Sequence, residues 1–357
     1  MPSKTGLNYG IEHMTSYILI GILLIVLEVA YCGVAKKLNI VDRPNERSSH
    51  TRTVIRGGGI IFLFGVWLWT AFFGAGKEAY PLFLAAVSIA AGISFIDDMK
   101  SLPDAARLAT QIIATALMVT QLYLCSKACG AVAASSLLTI LLLAAAAIFV
   151  CVGATNIYNF MDGINGITAG YSLAVLVPLA LLNARSEFIP DSFIIVAILA
   201  VLVFAFFNFR PKGKALCFAG DVGSVGMAFI LLFAIGMLIV KTRDVTWLAL
   251  LLVYGIDGVM TIIHRLLLHE NLGKAHRKHA YQILANELKV SHIGVSCLYM
   301  SLQLAVSLVM IYLVPDSPAM HWIFLAAITV VFTTAYWLFM KKYYHLHAEY
   351  LESLKKN

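Results

Sequence analysis

Apolar runs of about 20 residues recur along the whole of this 357-residue chain, and a helix of that length crosses the roughly 30 Å hydrocarbon core of a bilayer. The chain is 61% hydrophobic and only 13% charged, whereas soluble domains carry about 25% charged residues. We therefore predict an all-α, polytopic integral membrane protein in which residues 1–357 form a single domain. About eleven spans are predicted, at approximately 15–35, 57–76, 80–96, 106–125, 133–152, 166–184, 191–208, 222–241, 246–264, 292–314 and 321–340.

The basic residues predict the direction in which the chain crosses the membrane. Of the 26 Lys and Arg, 20 fall in one alternating set of connections and termini and 6 fall in the other. Because cytoplasmic loops are enriched in Lys and Arg, we expect a periplasmic N-terminus and a cytoplasmic C-terminus, which requires an odd number of spans. The cytoplasmic connections are then about 36–56, 97–105, 153–165, 209–221 and 265–291.

The net charge of +7 is explained by this topology and by attraction to anionic lipid. No nucleic acid partner is expected, because no basic run is interleaved with aromatic residues on a soluble face. The six cysteines lie mostly in apolar spans and show no metal-binding spacing. Two acidic residues within spans, Glu28 and Asp257, are assigned structural or supporting roles.

The remaining acidic residues of interest are Asp97, Asp98, Asp162 and Asp221, and each lies at the end of an apolar run on the predicted cytoplasmic face. A charge near bilayer depth costs about 2.5–3.5 kcal/mol on insertion scales, so such residues mark function by default. We therefore predict a single acidic, cation-binding active site at that face of the membrane.

The first connection ends in Arg56 and the triplet Gly57-Gly58-Gly59. Glycine lets the backbone approach an anion closely, and a guanidinium forms charge-assisted hydrogen bonds with phosphate. The pattern predicts that Arg56 and Gly58 contact a phosphate group. The alternative is a basic loop with a glycine turn into the second helix.

The second connection begins with the adjacent carboxylates of Asp97 and Asp98. These two charges repel each other, and a divalent cation or a proton shared with substrate would relieve the repulsion. The alternative is a solvated helix end in which Lys100 is their partner.

The third connection contains Asn156, Asn159 and Asp162 at three-residue steps. If the helix continues through them, the three side chains form one polar stripe. Gly163 and Gly166 would allow a ligand to approach the backbone. A helix end in so apolar a context does not need three such groups in register, so a functional role is favoured.

The fourth connection contains Asn208 and then the segment Gly220-Asp221-Val222-Gly223-Ser224. Asp221 lies where a helix is predicted to begin, so its carboxylate is placed to bind a cation. The amides of Gly223 and Ser224 would meet phosphate oxygens at the positive end of that helix. An N-cap explains Asp221 alone, but it does not explain the flanking glycines and serine.

The fifth connection is the longest and is rich in basic and polar residues, and long connections are often functional. Contacts to a nucleotide diphosphate and its base are predicted for Arg265, His276, Arg277, His279 and Gln282. The two histidines lack a nearby cysteine or carboxylate that would complete a zinc site. The alternative is a basic amphipathic segment at the membrane interface.

Together these five motifs resemble the polyprenyl-phosphate N-acetylhexosamine-1-phosphate transferases, of the glycosyltransferase family 4 type. The resemblance covers nearly the whole chain, in family order. It implies transfer of an N-acetylhexosamine-1-phosphate from a UDP-sugar, such as UDP-GlcNAc, to undecaprenyl phosphate, with release of UMP. It also implies Mg²⁺ as cofactor, with Mn²⁺ as an alternative, a bacterial inner-membrane location, and a homodimer as a plausible assembly.

The resemblance also implies residue roles. Asp221 would be the main metal ligand, with Asp162 as a second one and as a catalytic residue. Asp97 and Asp98 would position the acceptor phosphate, support the metal or, for one of them, act as a base. Substrate contacts are carried over to Asn156, Asn159, Asn208, Arg265, His276, Arg277, His279, Gln282, Arg56 and Gly58.

The His276-Arg277-Lys278-His279 segment resembles the branch that begins O-antigen (lipopolysaccharide) or related cell-envelope glycans, and it argues against a muramoyl-pentapeptide donor. The chain departs from the family pattern at Asn165, where many relatives have a second Asp, and at Thr53 and Ile55, which replace prolines. A polytopic secondary transporter is the alternative function, but its site would lie near the bilayer midplane.

Overall fold

The structure is a computed structural model that describes residues 4–44, 49, 52–74, 80–130, 136–271, 273 and 276–356, with side chains described from His13 to Ser353. Residues 45–48, 50 and 51 of the first connection, residues 272, 274 and 275 of the fifth, and parts of the predicted spans 57–76 and 133–152 lie outside this set. The described helices are α1 (Lys4–Lys37), α2 (Ile60–Phe73), α3 (Pro81–Met99), α4 (Asp104–Ala128), α5 (Leu137–Phe160), α6 (Ile167–Ser186), α7 (Asp191–Asn208), α8 (Gly220–Thr242), α9 (Leu252–Leu267), α10 (Ala280–Asn286), α11 (His292–Tyr312) and α12 (Pro318–Lys356). A 3-10 helix, Val245–Leu251, leads directly into α9, and two short strands, β1 (Val41–Asp42) and β2 (Val54–Ile55), pair antiparallel.

Within the described residues, ten helical segments are long and apolar enough to cross a membrane. This confirms the prediction of an all-α, polytopic membrane protein. The second predicted span is the exception, because α2 has only 14 residues. At 1.5 Å per residue it extends about 21 Å, which is shorter than the hydrocarbon core of a typical bilayer.

Two helices extend well beyond their predicted ends. Helix α5 continues to Phe160, so Asn156 and Asn159 are helical, but Asp162 lies after the helix. The predicted polar stripe is therefore wrong for Asp162, because the chain leaves the helix at the Asp162-Gly163 turn. Helix α12 continues to Lys356, and beyond its predicted end Tyr343 and Tyr344 pack against the cluster that contains Ala280 and Ile283 of the short helix α10.

Helix α8 lies at the centre of the bundle, with 89% of its membrane-spanning window buried, whereas no residue of the corresponding window of α5 is buried. It packs against α3, and Phe83 of α3 stacks on Phe233 of α8 with the ring centroids 4.0 Å apart. Helix α8 begins at Gly220, so Asp221 lies in its first turn. This end of the central helix is the end of the bundle where the other motifs lie.

The glycine triplet forms a backbone-to-backbone contact with the start of α8. Gly58 and Gly59 donate their N–H groups to the carbonyl oxygens of Phe218 and Ala219, at 2.8 and 3.0 Å. A Cβ added at Gly59 would lie 2.3 Å from the Cα of Gly223. A side chain at Gly59 would therefore separate two backbones that the site requires to be in contact.

We predict that Gly59→Ala lowers the thermal unfolding midpoint of the detergent-purified protein, at a cost of about 1–3 kcal/mol or more, because overpacked backbone cannot yield as a side chain does. Gly92→Ala in α3 is the control, since a Cβ there meets nothing within 4 Å. That variant should be as stable as the wild type or more so, as helical Gly→Ala replacements usually are. Equal midpoints for the two variants would contradict the predicted role of Gly59.

Candidate active site

Asp98 connects the end of α3 to the first connection and to the start of α8. Its side chain is fully buried, and its Oδ1 lies 2.6 Å from Nε of Arg56. The backbone N–H groups of Asp221 and Val222 donate to its two oxygens at 2.9 and 3.0 Å. A carboxylate at this position satisfies otherwise unpaired amides and interacts favourably with the positive end of the helix dipole.

Asp221 shares its carboxylate oxygens between two arginines. Its Oδ1 lies 3.1 Å from Nη2 of Arg56, and its Oδ2 lies 3.5 Å from Nη1 of Arg107. The same Arg107 nitrogen lies 2.7 Å from Oδ2 of Asp97, whose Oδ1 accepts a hydrogen bond from the N–H of Leu102. Both arginines therefore bridge a carboxylate of α3 to the first turn of α8.

We call this set the ionic cluster, and its members are Arg56, Asp97, Asp98, Arg107 and Asp221. With every group ionised, three carboxylates and two guanidiniums give it a formal charge of one negative. Burial acts to lower the pKa of Arg56, but the neighbouring carboxylates outweigh burial and raise that pKa above its usual value. The arginine therefore stays charged, and the cluster retains its attraction for a cation.

Sequence reasoning missed Arg107 as a member of the site. The sequence offers Lys100 as the alternative partner of the acidic pair. Lys100 is exposed, whereas Arg107, one turn into α4, faces Asp97. The available signal was the short connection, which brings Arg107 back to the acidic pair only ten residues after Asp97.

Asp162 and Asn159 lie beside the ionic cluster. Asn159 accepts a hydrogen bond from the hydroxyl of Ser224, in the first turn of α8, at 2.6 Å. Asp162 accepts one from the hydroxyl of Thr168 at 2.5 Å. Burial raises the pKa of Asp162 to about 6, the Thr168 hydrogen bond opposes the rise, and the Asp221 charge adds to it. A cation nearby would favour the ionised form of Asp162.

Three of the predicted substrate ligands make structural contacts. Gly58 uses its N–H to bind Phe218, as described above. Asn208 is buried, and its amide oxygen accepts from the N–H of Gly166 while its nitrogen donates to the carbonyl of Cys217. Asn156 donates to Gln111 of α4 at 2.9 Å. Their contact with a substrate stays a prediction.

The fifth connection brings its basic residues together with acidic partners. Arg265 lies 3.2 Å from Glu270, which also pairs with Lys278. Arg277 lies 2.8 Å from Glu287. The cations predicted to bind a diphosphate are therefore held in position by carboxylates.

The C-terminal part of α12 supports Arg277 from the other side. The guanidinium lies 4.0 Å from the centroid of the Tyr350 ring, which is within cation–π range. His347 is buried and contacts the same Glu287 oxygen as Arg277, at 3.0 Å. Helix α12 thus helps to fix the position of the fifth connection.

Asp257 anchors the start of α10 from within α9. It is buried, and it accepts hydrogen bonds from the backbone N–H groups of Ala280 and Tyr281. The hydroxyl of Tyr299 donates to it at 2.6 Å, and the ring of His279 contacts it at 3.2 Å. The supporting role predicted for Asp257 fits these contacts, but its partners could not be read from the sequence.

His276 and His279 form a stacked pair at the entrance to α10, with ring centroids 5.1 Å apart. The Nε2 atom of His279 is buried and has no hydrogen-bond partner among the described residues. Gln282 completes a capping box with His279, so its side chain is used locally. Arg265, which is also predicted to contact the nucleotide diphosphate, lies at the end of α9.

The residues of the ionic cluster fit a magnesium ion. Mg²⁺ binds through one or two carboxylates together with phosphate oxygens and waters, so it does not require a closed protein cage. Among the described residues, the aspartates do not form a compact three-ligand group. The net negative charge and the proximity of Asp162 provide an open, oxygen-rich site of that kind.

The comparison with known proteins places the core of this site in a family. Residues 80–241 match the sequence profile of glycosyl transferase family 4. The family 4 segment contains Asp97, Asp98, Asp162 and Asp221, whereas Arg56 and the fifth connection lie outside it.

Individual relatives extend the comparison. The chain is 27% identical over 219 residues to the decaprenyl-phosphate N-acetylglucosaminephosphotransferase of Mycobacterium leprae, which is 55% of this chain and 54% of that protein. It is 25% identical over 267 residues to a probable undecaprenyl-phosphate N-acetylglucosaminyl 1-phosphate transferase of Bacillus subtilis, which is 70% of this chain and 71% of that protein. A shorter stretch of 76 residues, 21% of each chain, is 41% identical to the phospho-N-acetylmuramoyl-pentapeptide-transferase of Deinococcus radiodurans. The chain spans about half the length of the mycobacterial relatives that it matches.

We predict that Tyr299→Phe destabilises the protein by about 1.5–3 kcal/mol, because it removes a hydrogen bond to a buried charged group. Tyr336→Phe is the matched control, since that hydroxyl contacts the neutral hydroxyl of Thr261 at 2.8 Å. It should cost only about 0.5–1.5 kcal/mol. The measurement is the thermal unfolding midpoint in detergent, and a larger loss for Tyr336→Phe would contradict the role assigned to Asp257.

We predict that His276 makes the folded protein less stable as the pH falls. Burial, followed by the charges of His279 and Arg265, lowers the pKa of His276 to about 3. Between that value and an unfolded pKa near 6.5, the unfolded state binds the extra proton, so stability falls as the pH falls. Lowering the pH from 7.5 to 5.5 should cost the wild type up to about 1.4 kcal/mol more than His276→Gln. Parallel unfolding midpoints of the two proteins across this pH range would contradict the assignment.

Proposed function

We propose that the protein transfers an N-acetylhexosamine-1-phosphate from a UDP-sugar to undecaprenyl phosphate, with release of UMP, in a reaction that depends on Mg²⁺. The observation that carries the proposal is the ionic cluster, in which three family 4 aspartates and two arginines converge at one end of the bundle. The mycobacterial and Bacillus relatives named above support the same class of reaction by their descriptions.

The site suits phosphoryl transfer because that reaction requires positioning and neutralisation of charge more than covalent participation by the protein. Asp221 and Asp162 would hold the magnesium ion. When bound, the ion would neutralise negative charge on the reacting phosphates. Arg56 and Arg107 lie beside the carboxylate of Asp221 in this structure, so these two guanidiniums would bind phosphate oxygens next to the ion that Asp221 would hold.

Asp98 is a positioning residue in this scheme, because its oxygens are used by Arg56 and by the amides of α8. Asp97 is likewise held by Arg107 and Leu102. A phosphate monoester has a second pKa of about 6 and is already largely ionised at pH 7, so the acceptor does not require a strong base. Both residues therefore act by placing the arginines.

The donor end of the site is assigned to the fifth connection, where Arg277 and its neighbours are held by acidic partners and by α12. The proposed donor is UDP-GlcNAc or a close relative such as UDP-GalNAc or a 6-deoxy sugar, and the product begins O-antigen or a related envelope glycan. Discrimination among sugars that differ by one hydroxyl depends on the shape of the pocket around them. The proposed setting is the bacterial inner membrane, with the site and the C-terminus in the cytoplasm and the N-terminus in the periplasm.

The test is release of UMP by detergent-purified protein supplied with undecaprenyl phosphate, Mg²⁺ and a panel of UDP-N-acetylhexosamines. We expect release with at least one donor, and loss of release without the lipid or after addition of EDTA. If folded protein released no UMP with any donor of a panel that includes 6-deoxy sugars, the result would contradict the proposal and favour the transporter alternative.

Asp221→Asn should reduce release by at least about a hundredfold, which is the range seen when one strong electrostatic contact to a reacting group is lost. Asp244→Asn is the control, because Asp244 follows the opposite end of α8 and contacts His321 and Thr246. It should retain near wild-type release. Equal release of UMP by the two variants, at equal thermal stability, would contradict the assignment of Asp221 as a metal ligand.

A further inference from the structure

A second group of metal-ligating side chains lies behind the glycine triplet, outside the ionic cluster. Its members are Glu28, Cys32 and Cys217, and the ligand atoms of the three lie within 4.8 Å of one another. Glu28 and Cys32 are one turn apart on α1, so they share a face. Cys217 lies in the segment before α8, and its Sγ lies 3.3 Å from Oε1 of Glu28. We call this group the thiol cluster.

The thiol cluster contains a buried polar atom whose hydrogen-bonding capacity is unused. The Glu28 side chain is fully buried in a membrane-spanning helix, and among the described residues its Oε2 has no hydrogen-bond partner. An unpaired buried oxygen is expensive, particularly in a span where water does not compensate. This oxygen is free to act as a ligand for a cation, and no basic side chain is paired with Glu28 in the described contacts.

The types of ligand identify the class of cation. Two thiols and one carboxylate suit a thiophilic metal such as Zn²⁺, whereas Mg²⁺ prefers oxygen ligands alone. Two sulfurs bound to one zinc ion in a tetrahedral arrangement lie about 3.8 Å apart, from a Zn–S distance of about 2.3 Å. The three ligand atoms are therefore close to coordinating distance and would have to move by about an ångström or less.

We propose that Glu28, Cys32 and Cys217 bind a thiophilic divalent cation of the Zn²⁺ class, at a structural site separate from the ionic cluster. Binding would displace the thiol protons to solvent, since the thiolate is the ligand. Spacing along the chain did not indicate this site, because Cys217 is brought to Cys32 only by the fold.

The position of the site gives it a structural consequence. Cys217 pairs as an isolated bridge with Ile55 of β2, and Gly58 lies directly against it, since a Cβ at Gly58 would meet the Cys217 Sγ at 2.4 Å. An ion here would connect α1 to the segment that carries Arg56 and to the approach of α8. It would stabilise the position of Arg56 without contacting substrate.

The experiment measures metal binding directly in the full-length protein. Protein purified in detergent under reducing conditions is stripped with a chelator, dialysed and titrated with Co²⁺, followed by absorption of thiolate-to-Co²⁺ charge transfer. We expect about one equivalent of Co²⁺ with a thiolate band, displaced by Zn²⁺, and a higher unfolding midpoint with metal. Co²⁺ bound at the aspartates would give no such band, so the outcome is independent of the proposed transferase activity.

Cys32→Ser and Cys217→Ser should each weaken the thiolate band and lower Co²⁺ affinity at least tenfold, and Glu28→Gln should lower affinity with the band retained. Cys297→Ser is the control, because Cys297 is exposed on α11. If Cys217→Ser fails to fold, Cys32→Ser and the titration of the wild type still decide the question. The absence of a thiolate band in the wild type, a band unchanged in Cys32→Ser, or a Cys32–Cys217 disulfide in the reduced preparation would overturn the proposal.

Discussion

The bridge from the Asp98 carboxylate to Arg56 and to the first amides of α8 fixes three segments that are far apart in sequence. It works because a buried carboxylate requires several donors, and the start of a helix supplies two that have no partner within the helix. Without this bridge, Arg56 would have no fixed position, and the glycine triplet would lose part of its attachment to α8. The placement of Asp221 depends on the same bridge, since its own N–H is one of the two amides.

The ionic cluster places carboxylates and guanidiniums side by side, so it presents both ligands for a cation and donors for an anion. In this structure the arginines pair with the carboxylates, so the formal net charge of the ionic cluster is small. Under the proposed function, the carboxylate of Asp221 would exchange Arg56 and Arg107 for a metal ion, and the arginines would then face phosphate oxygens. The same two guanidiniums reduce the repulsion between the adjacent acids, and under the proposed function they would also attract the phosphate groups of the substrates.

Much of this architecture follows from the sequence, because apolar runs of membrane length and basic connections are strong local signals. Helix α7 was predicted with the bounds that the structure has, Asp191–Asn208, and the four aspartates were singled out by their cost in an apolar context. The partners of those residues were not predictable. Arg107, Glu270 and Glu287 are ordinary charged residues in the sequence, and only the fold shows which opposite charge each one meets.

A polar residue in an apolar stretch of sequence either binds a ligand or holds the fold together. The sequence pattern is the same in both cases. A buried polar group must be satisfied whether it binds a substrate or another part of the protein. The structure separates the two cases by showing how much bonding capacity is already used. Both the oxygen and the nitrogen of the Asn208 side-chain amide are hydrogen-bonded to the backbone, so this residue supports the fold. Asp162 has a single described hydrogen bond, and Glu28 has an oxygen with none, so these carboxylates retain capacity for a ligand that the chain itself does not supply.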